Sequence, residues 1–267
     1  MTDNLILLKI GGSVLTHKDK EEELAEDAIA RIAEEISRYM GKYNDNYNDK
    51  EKDNDKSKCR LILVHGAGSF GHPQAKATGL DKKFSAKGVS QVHRAVNRLN
   101  DHIIVALIEA GINAVSVHPL SCMIAKSGRI ETMLTDPIQN MINNGIIPVL
   151  HGDVVMDTET ISSIVSGDQI ITYLANVFKP DRIGLGTNVD GVLDGAGTTI
   201  PLITAANFDD ISHHLSQSSN IDVTGGMMGK VCELLLLTES RIFNALKPES
   251  VIDFLEGKDV GTVIKRA

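Results

Sequence analysis

RLILVHGAGSFGH (residues 60–72) joins a short, largely apolar run to a loop with three glycines and a histidine at each end. An apolar run of this length that stops at a glycine is typical of a buried strand. Backbone N–H groups in such a loop can bind phosphate oxygens, and a neighbouring imidazole can add a hydrogen bond or a charge. A structural turn with two solvent-facing histidines would explain the same residues, so the loop alone leaves both interpretations open.

The glycines of this loop fit the known nucleotide-binding patterns poorly. GAGSFG (66–71) matches G-x-G-x-x-G, but residues 86–96 lack the acid that a dinucleotide-binding fold carries about 20 residues on. Pro73 also disfavours direct entry into a long helix. GGMMGKV (225–231) has the wrong spacing for a Walker A loop and ends in valine. A dehydrogenase with a nicotinamide cofactor stays as an alternative, which a nucleotide-binding assay would separate.

Outward from this loop, short apolar runs alternate with segments of helical periodicity. Strands are predicted at 4–10, 60–64, 113–117, 146–150 and 182–187, and helices at 27–40, 89–110, 137–145, 167–178 and 229–242. This alternation predicts an α/β fold whose mostly parallel sheet is covered by helices on both faces. Glycine turns follow three of the strands and precede the last helix. Because ligands bind at the carboxyl ends of parallel strands, we expect these turns to line one crevice.

Composition and charge restrict the class of function. The 267 residues are enough for one large domain or two lobes, and the net charge of −8 argues against a nucleic-acid partner. No apolar run approaches the ~18 residues that span a bilayer, and no secretory signal is visible. The three cysteines are far apart, which predicts reduced, buried thiols in a cytoplasmic protein. The polar segment 43–58 is predicted to be a disordered insertion.

Three lysines lie next to the glycine turns. Lys9 ends the first strand, Lys18 follows it closely, and Lys230 comes just after the late glycines. If the turns share a crevice, these lysines converge there, an arrangement that suits phosphoryl transfer because this reaction depends on positioning and charge neutralisation. Asp168 begins a predicted helix, where it either caps the helix or holds the lysines in place.

Six motifs in this order resemble the amino acid kinase superfamily, most closely its isopentenyl phosphate kinases. They are KIGGSVLTHK (9–18), HGAGSFGH (65–72), HGDVVMD (151–157), ISSIVSGD (161–168), TNVDGV (187–192) and DVTGGMMGKV (222–231). The histidine-headed loop is shared with the related fosfomycin kinases. The resemblance implies a three-layer αβα sandwich with a mostly parallel central sheet. It also implies an acceptor-binding N-terminal lobe over 1–178 and an ATP-binding C-terminal lobe over 179–267.

The resemblance further implies a role for each motif. Lys9 and Lys230 would contact the phosphates of ATP, and Asp168 would organise them. Lys18 would stabilise the transferring phosphoryl group, and His65 would recognise the acceptor phosphate. Further acceptor-side residues would be Ala67, Gly68, Ser69, His72, Gly152, Asp153 and Ile164. The nucleotide would lie by Gly11, Gly12, Ser13, Gly68, Thr187, Asp190, Gly225 and Gly226.

Two positions bear on the substrate and the nucleotide. Ile164 stands where relatives that phosphorylate amino acids have a polar residue, so it fits an apolar tail. Asn188 stands where many relatives have aspartate, which we expect to alter a nucleotide-side contact without removing activity. No metal ligand among the protein side chains is indicated, and Mg²⁺ is expected to be held mainly by phosphates and water. A homodimer is implied by the resemblance alone.

The expected activity is the ATP-dependent conversion of isopentenyl phosphate to isopentenyl diphosphate, in isoprenoid synthesis through the mevalonate pathway. The alternatives are a fosfomycin-type phosphonate kinase and a non-catalytic nucleotide-sensing module. A sensing module could dispense with Lys18 or His65, and both are present. Val89, Val92 and Val96 share one helical face and, with Phe84, are predicted to contact the acceptor's tail, although ordinary core packing explains that stripe as well.

Overall fold

The computed structural model describes residues 4–17, 20–44, 59–215 and 226–266. The strands are β1 Asn4–Ile10, β2 Cys59–His65, β3 Ala114–Ser116, β4 Met123–Lys126, β5 Arg129–Met133, β6 Ile147–His151, β7 Asp153–Asp157, β8 Ile161–Val165, β9 Arg182–Thr187, β10 Leu202–Thr204, β11 Glu239–Asn244 and β12 Thr262–Lys265. The helices are α1 Gly12–Leu15, α2 Glu26–Asn44, α3 Gly68–Thr78, α4 Ala86–Glu109, α5 Pro119–Cys122, α6 Asp136–Asn143, α7 Gly167–Phe178, α8 Phe208–Leu215, α9 Gly226–Leu234 and α10 Ser250–Glu256.

Within these ranges the strands form two sheets. The larger has eight strands in the order β10-β12-β11-β9-β1-β2-β6-β3, and its neighbours run parallel except at β11 and β12. The smaller has four strands in the order β5-β4-β7-β8. The carboxyl ends of β9, β1, β2 and β6 therefore meet along one edge of the larger sheet.

The central strand β1 shows why helices cover both faces of this sheet. Its residues from Leu5 to Leu8 are all buried, because neighbouring side chains point to opposite faces and both faces are apolar. Leu5 and Leu7 belong to the cluster that includes α7, whereas Ile6 and Leu8 belong to the cluster that includes α2, α4 and α10. The α/β fold with a mostly parallel central sheet between helical layers is thus confirmed.

A buried carboxylate joins the early helix α2 to the late helix α10. Glu35, 2% exposed, accepts hydrogen bonds from the backbone N–H groups of Val251 at 2.9 Å and Ile252 at 3.1 Å. It also pairs with Arg31 on its own helix. Glu35 thus satisfies amides in the first turn of α10 that have no partner within that helix.

Three predictions from the sequence are wrong in their details. The helix predicted over 229–242 ends at Leu234, and the strand β11 begins at Glu239. From Glu239 to Ile242 more exposed and buried side chains alternate, which is the period of a strand. The thiol of Cys232 is exposed rather than buried. The helix α2 continues to Asn44, two residues into the segment predicted to be disordered, and the remainder, 45–58, lies outside the described residues.

Pro73 did not prevent a helix after the glycine loop. It lies inside α3, an 11-residue helix. A proline there cannot donate to the carbonyl four residues earlier, which belongs to Ser69. That oxygen instead accepts a longer hydrogen bond of 3.4 Å from the backbone N–H of Glu22. No helix in the described part of the chain is both long and apolar enough to cross a bilayer.

Candidate active site

The first two glycine turns touch backbone to backbone at the carboxyl ends of β1 and β2. A Cβ atom on Gly12 would lie 2.3 Å from the backbone nitrogen of Gly68, and one on Gly66 would lie 2.6 Å from that of Gly12. Gly68 also has a φ of +53°, which favours glycine. The hydroxyl of Thr16 fastens the turns, because it accepts from the Ser69 N–H and donates to the Gly12 carbonyl, both at 2.9 Å.

The third glycine turn and α7 complete this part of the crevice. The Gly152 N–H donates to the His65 carbonyl at 3.0 Å, which holds the end of β6 beside the end of β2. A Cβ atom on Gly167, the first residue of α7, would lie 3.0 Å from Cε of Lys9. The early glycine turns thus lie together at one end of the sheet, and that they line one ligand crevice stays a prediction. Gly225 lies outside the described residues, and Gly226 begins α9 with a φ of +57°.

One carboxylate holds two of the three predicted lysines together. Asp168 Oδ1 lies 2.5 Å from Nζ of Lys9, and its Oδ2 lies 3.6 Å from Nζ of Lys230. Lys9 and Asp168 are both buried, at 4% exposure. The Ser166 hydroxyl caps α7 by accepting from the Gln169 N–H, so the Asp168 side chain is not the cap. Lys18 lies outside the described residues.

The side chain of His65, the residue predicted to recognise the acceptor phosphate, is held inside the protein. This side chain is buried at 1% exposure. Its Nδ1 lies 3.0 Å from the Gly66 carbonyl and its Nε2 lies 3.1 Å from Oδ1 of Asn100. Burial lowers the pKa of His65, so the neutral ring is favoured. His72, the histidine at the other end of the loop, lies on α3 and is only partly buried.

Of the other residues predicted to bind the acceptor, three lie in the glycine loop and Ile164 belongs to an apolar cluster. Gly66, Ala67 and Gly68 are partly exposed, while Ser69 is buried with a hydroxyl that has no hydrogen-bond partner among the described residues. Beside this loop lies a small apolar cluster, hereafter the tail cluster. Its members come from α3, α4, β7, β8 and the turn after α3, and they are Ala75, Leu80, Val89, Val92, Val154 and Ile164.

The tail cluster contains two of the three valines that were singled out on α4. Val96, the third, is fully buried and is not a member of it. A Cβ atom on Gly71 would lie 3.1 Å from Cγ1 of Val96, so this valine packs against the glycine loop instead. Phe84 is 39% exposed, just before α4. The Asp153 carboxylate is buried and bonded to His93 at 2.7 Å, so it presents no side chain to the crevice.

The nucleotide-side residues lie at the ends of β1 and β9. The Ser13 hydroxyl donates to Oδ1 of Asn188 at 3.2 Å. Asn188 is the residue that departs from the family pattern. Thr187 is buried, and its hydroxyl lies within hydrogen-bonding distance of the Val189 and Phe243 carbonyls, which share its one proton, so it holds the backbone. Asp190 is exposed, and hydrogen bonds from Asn244 and Lys247 lower the pKa of its carboxyl.

Sequence reasoning missed Asn100 and His93, because neither lies in a motif. Asn100 is fully buried beside His65, and a buried polar residue on the apolar face of a predicted helix was the only available sign of it. His93 follows Val92 directly, but its partner Asp153 is 60 residues away. Neither contact follows from local spacing.

Comparisons with known proteins agree with this geometry. The model of the amino acid kinase family matches residues 4–242. The isopentenyl phosphate kinase of Methanothermobacter thermautotrophicus is 36% identical, over 96% of this chain and 97% of its own. That of Haloferax volcanii is 37% identical, over 98% of this chain and 99% of its own.

Solved structures give the same result. A structure described as an X-ray structure of isopentenyl phosphate kinase superposes with a TM-score of 0.79 at 32% identity, and the match covers 98% of this chain and all of that one. An isopentenyl phosphate kinase substrate complex superposes with a TM-score of 0.69 at 27% identity. The fold, the glycine turns with their lysines, and these full-length matches show that the chain belongs to the amino acid kinase family.

Proposed function

We propose that this protein transfers the γ-phosphoryl group of ATP to isopentenyl phosphate, forming isopentenyl diphosphate. The observation that carries the proposal is that Lys9, Asp168 and Lys230 form one ion-paired group at the joined glycine turns, while α3, the helix that begins at Gly68, contributes to the tail cluster. Lysine ammonium groups suit a polyphosphate, and apolar side chains suit a short apolar chain. The full-length relatives that bear the name isopentenyl phosphate kinase support this choice.

The lysines supply the charge that phosphoryl transfer needs. An oxygen of the acceptor's own phosphate attacks the γ-phosphorus of ATP, the bond to the bridging oxygen breaks, and its electron pair leaves with ADP. The attacking oxygen is already ionised, so no general base is required. Lys9 and Lys230 neutralise the growing charge on the phosphates, and the buried Asp168 keeps both ammonium groups in place. We assign the third such role to Lys18, which lies outside the described residues.

We assign recognition of the acceptor phosphate to His72 and the glycine loop rather than to His65. His72 is partly exposed on α3, while both ring nitrogens of His65 lie within hydrogen-bonding distance of oxygen atoms inside the protein. The buried Ser69 hydroxyl has no partner among the described residues, which suits a donor to a phosphate oxygen. Ala67, Gly68 and Gly152 would contribute backbone N–H groups, and Asp153 would act through its backbone.

The donor set fits a magnesium ion that arrives with the nucleotide. Among the described residues, no three His, Cys, Asp or Glu side chains form a group that could hold a metal, and Asp168 lies between two lysines. Phosphate oxygens and water would therefore hold Mg²⁺, as that ion prefers. When bound, the ion withdraws charge from the phosphates.

The rest of the site divides between the two halves of the chain. We assign acceptor binding to the lobe 1–178, with Ile164 at the acceptor's tail, and ATP binding to the lobe 179–267, with further nucleotide contacts from the first lobe. The nucleotide would lie by Gly11, Gly12, Ser13, Gly68, Thr187, Asp190, Gly225 and Gly226. We place the reaction in the cytoplasm, where ATP is available, and in isoprenoid synthesis.

We also propose that the protein is a homodimer. The edge strand β3 and the neighbouring helix α4 expose apolar side chains: Val105 is 51% exposed, Ile108 55% and Val115 43%. Exposed apolar residues on adjoining elements favour a protein–protein contact. Light scattering on the protein and on Ile108→Asp tests this, because the substitution should convert a dimer to a monomer.

An acceptor screen with ATP tests the proposed reaction. The acceptors are isopentenyl phosphate, dimethylallyl phosphate, geranyl phosphate and fosfomycin, with ADP release as the readout. We expect the highest kcat/KM with isopentenyl phosphate. A preference for fosfomycin would identify a phosphonate kinase, and ATP binding without turnover of any acceptor would identify a nucleotide-sensing module.

A further inference from the structure

Three histidines form a row beneath α4 that the proposed chemistry does not use. The row follows the order of the sheet from β2 to β6 and then to the residue before α5. The rings of His65 and His151 stack with centroids 5.4 Å apart, and Nε2 of His151 lies 3.1 Å from Nδ1 of His118. Beyond the row, His93 on α4 meets His118 edge to face, with centroids 5.9 Å apart.

The end of this row is a contact between a helix and a hairpin. Nδ1 of His93 donates to Oδ2 of Asp153, the first residue of β7, at 2.7 Å. The Asp153 carboxylate is fully buried, whereas the His93 side chain keeps 23% of its surface exposed. A buried carboxylate is costly without a partner, so the contact holds β7 against α4.

On both α4 and β7, a residue adjacent in sequence to the paired side chain belongs to the tail cluster. Val92 on α4 precedes His93, and Val154 on β7 follows Asp153, and both valines pack in that cluster. Ile164, a further member, lies opposite Val154 on the paired strand β8. The distance between α4 and the β7–β8 hairpin therefore determines how much room the cluster leaves.

We infer that the His93–Asp153 pair is a positioning device that holds the β7–β8 hairpin against α4 and so limits the length of acceptor tail that the site accepts. The inference rests on the proposed function for the identity of the acceptor. Neither side chain touches the reacting atoms, so both are positioning residues.

The groups that face His93 make this contact dependent on pH. Asp153 on β7 raises the pKa of His93 through their hydrogen bond, and burial raises the pKa of Asp153. The other groups that face this pair are His118, His151 and the neutral Asn97. The charged pair exists above the pKa of Asp153 and below that of His93. The contact therefore weakens as the pH rises through the raised pKa of His93.

Asn97 can serve His93 in either protonation state. Its Nδ2 lies 3.0 Å from Nε2 of His93, and its Oδ1 has no hydrogen-bond partner among the described residues. The amide nitrogen donates to a neutral ring, whereas a turned amide would offer the oxygen to a protonated one. His93 can thus gain a proton and keep a hydrogen bond to Asn97.

The test is the ratio of kcat/KM for geranyl phosphate to that for isopentenyl phosphate, measured with the full chain. We expect His93→Ala to raise this ratio about tenfold with the KM for ATP unchanged, since one methylene's fit in an apolar pocket is worth about that much. His93→Gln, which can still donate to Asp153, should keep the wild-type ratio. His102→Gln replaces an exposed histidine on the same helix and serves as the matched control.

Two further measurements separate positioning from simple stability. In the wild type the ratio should rise as the pH rises above neutrality, whereas in His93→Gln it should stay flat. Hydrogen exchange of the β7–β8 amides should be faster in His93→Ala than in the wild type. An unchanged ratio in His93→Ala, together with turnover of isopentenyl phosphate, would overturn this inference alone.

If the wild type turns over none of the prenyl phosphates, the proposed function fails instead. Hydrogen exchange then still tests the contact, because it needs no substrate. Unchanged protection of β7–β8 in His93→Ala would overturn the positioning role even in that case.

Discussion

The glycine turns at the ends of β1 and β2 touch backbone to backbone, whereas the contacts of the tail cluster are made by side chains from α3, α4 and the β7–β8 hairpin. A Cβ atom on Gly12 would lie 2.3 Å from another backbone, while the tail cluster is built from ordinary apolar side chains. The glycine turns allow almost no substitution. The tail cluster can change its shape by exchanging one side chain for another, which is how one fold comes to accept different substrates.

The comparison also explains the different fates of the two loop histidines. His65 ends β2 and points into the layer beneath α4, where Asn100 meets it. His72 lies seven residues on, past the turn, on a helix that borders the crevice. His65 is 1% exposed, whereas His72 is partly exposed.

Removing a lysine should have the largest effect. We expect Lys9→Met to lower kcat about 10²–10³-fold, because a preorganised charge on the phosphates is lost while the apolar stem is kept. Asp168 keeps Lys230 as a partner, so the fold should survive. Steady-state kinetics and thermal melting measure the two effects, with the exposed Lys126→Ala as the control. A normal kcat in Lys9→Met would show that the phosphates of ATP do not bind beside Lys9.

Substitutions of the two loop histidines should affect different properties, the acceptor KM for His72 and the melting temperature for His65. We expect His72→Ala to raise the KM for the acceptor about 10–100-fold, since a hydrogen bond to a charged group contributes about 1.5–3 kcal/mol. His65→Ala should lower the melting temperature, because it removes the partner of the buried Oδ1 of Asn100 and leaves a cavity, and should change the acceptor KM much less. Steady-state kinetics and melting curves on both variants show which substitution raises the acceptor KM more and which lowers the melting temperature more. If His65→Ala raises the acceptor KM more than His72→Ala does, recognition of the phosphate belongs to His65.

Substituting a turn glycine tests the backbone contact. We expect Gly12→Ala to lower the free energy of unfolding by about 1–3 kcal/mol, because the new methyl group must push the loop at Gly68 aside. Gly41→Ala is the matched control, since nothing lies within 4 Å of its Cβ position in α2. That variant should gain about 0.5–1 kcal/mol. Urea unfolding measures both, and equal stabilities would contradict the close approach.

The acceptor side should tolerate a smaller side chain. We expect Val92→Ala to cost about 1–2 kcal/mol of stability through lost burial, and to raise turnover of geranyl phosphate relative to isopentenyl phosphate. Ile103→Val, in the apolar core lower on α4, controls for a general loss of packing. A fixed chain-length preference with reduced stability would make Val92 a core residue only.

The smallest effect should come from the polar segment 45–58. We expect its replacement by a short Gly/Ser linker to change the melting temperature and turnover very little, by analogy with surface substitutions, which stay within about 0.5 kcal/mol. A large loss of either quantity would show that this segment packs against the protein or binds a ligand.

Sequence patterns predicted the glycine turns and the lysine beside them better than the contacts around α4. Lys9, Gly12 and Gly68 occur in runs whose spacing reflects a strand followed by a turn, so local sequence carries their geometry. His93 and Asp153 meet only because α4 crosses the hairpin, and no local pattern contains that contact. The burial of His65 also depends on Asn100, 35 residues later. The end of the predicted helix over 229–242 was missed because a run of leucines suits a helix or a strand.

Glu35 has a consequence for the order in which the chain can fold during synthesis. Its partners Val251 and Ile252 are more than 200 residues later, near the end of the chain. Until they leave the ribosome, this carboxylate cannot be buried without losing most of its hydrogen bonds. The face of α2 that carries Glu35 must therefore stay exposed to water while the residues between Glu35 and Val251 are synthesised. A nascent chain stopped before Val251 should remain open at this face, a target for chaperones and proteases.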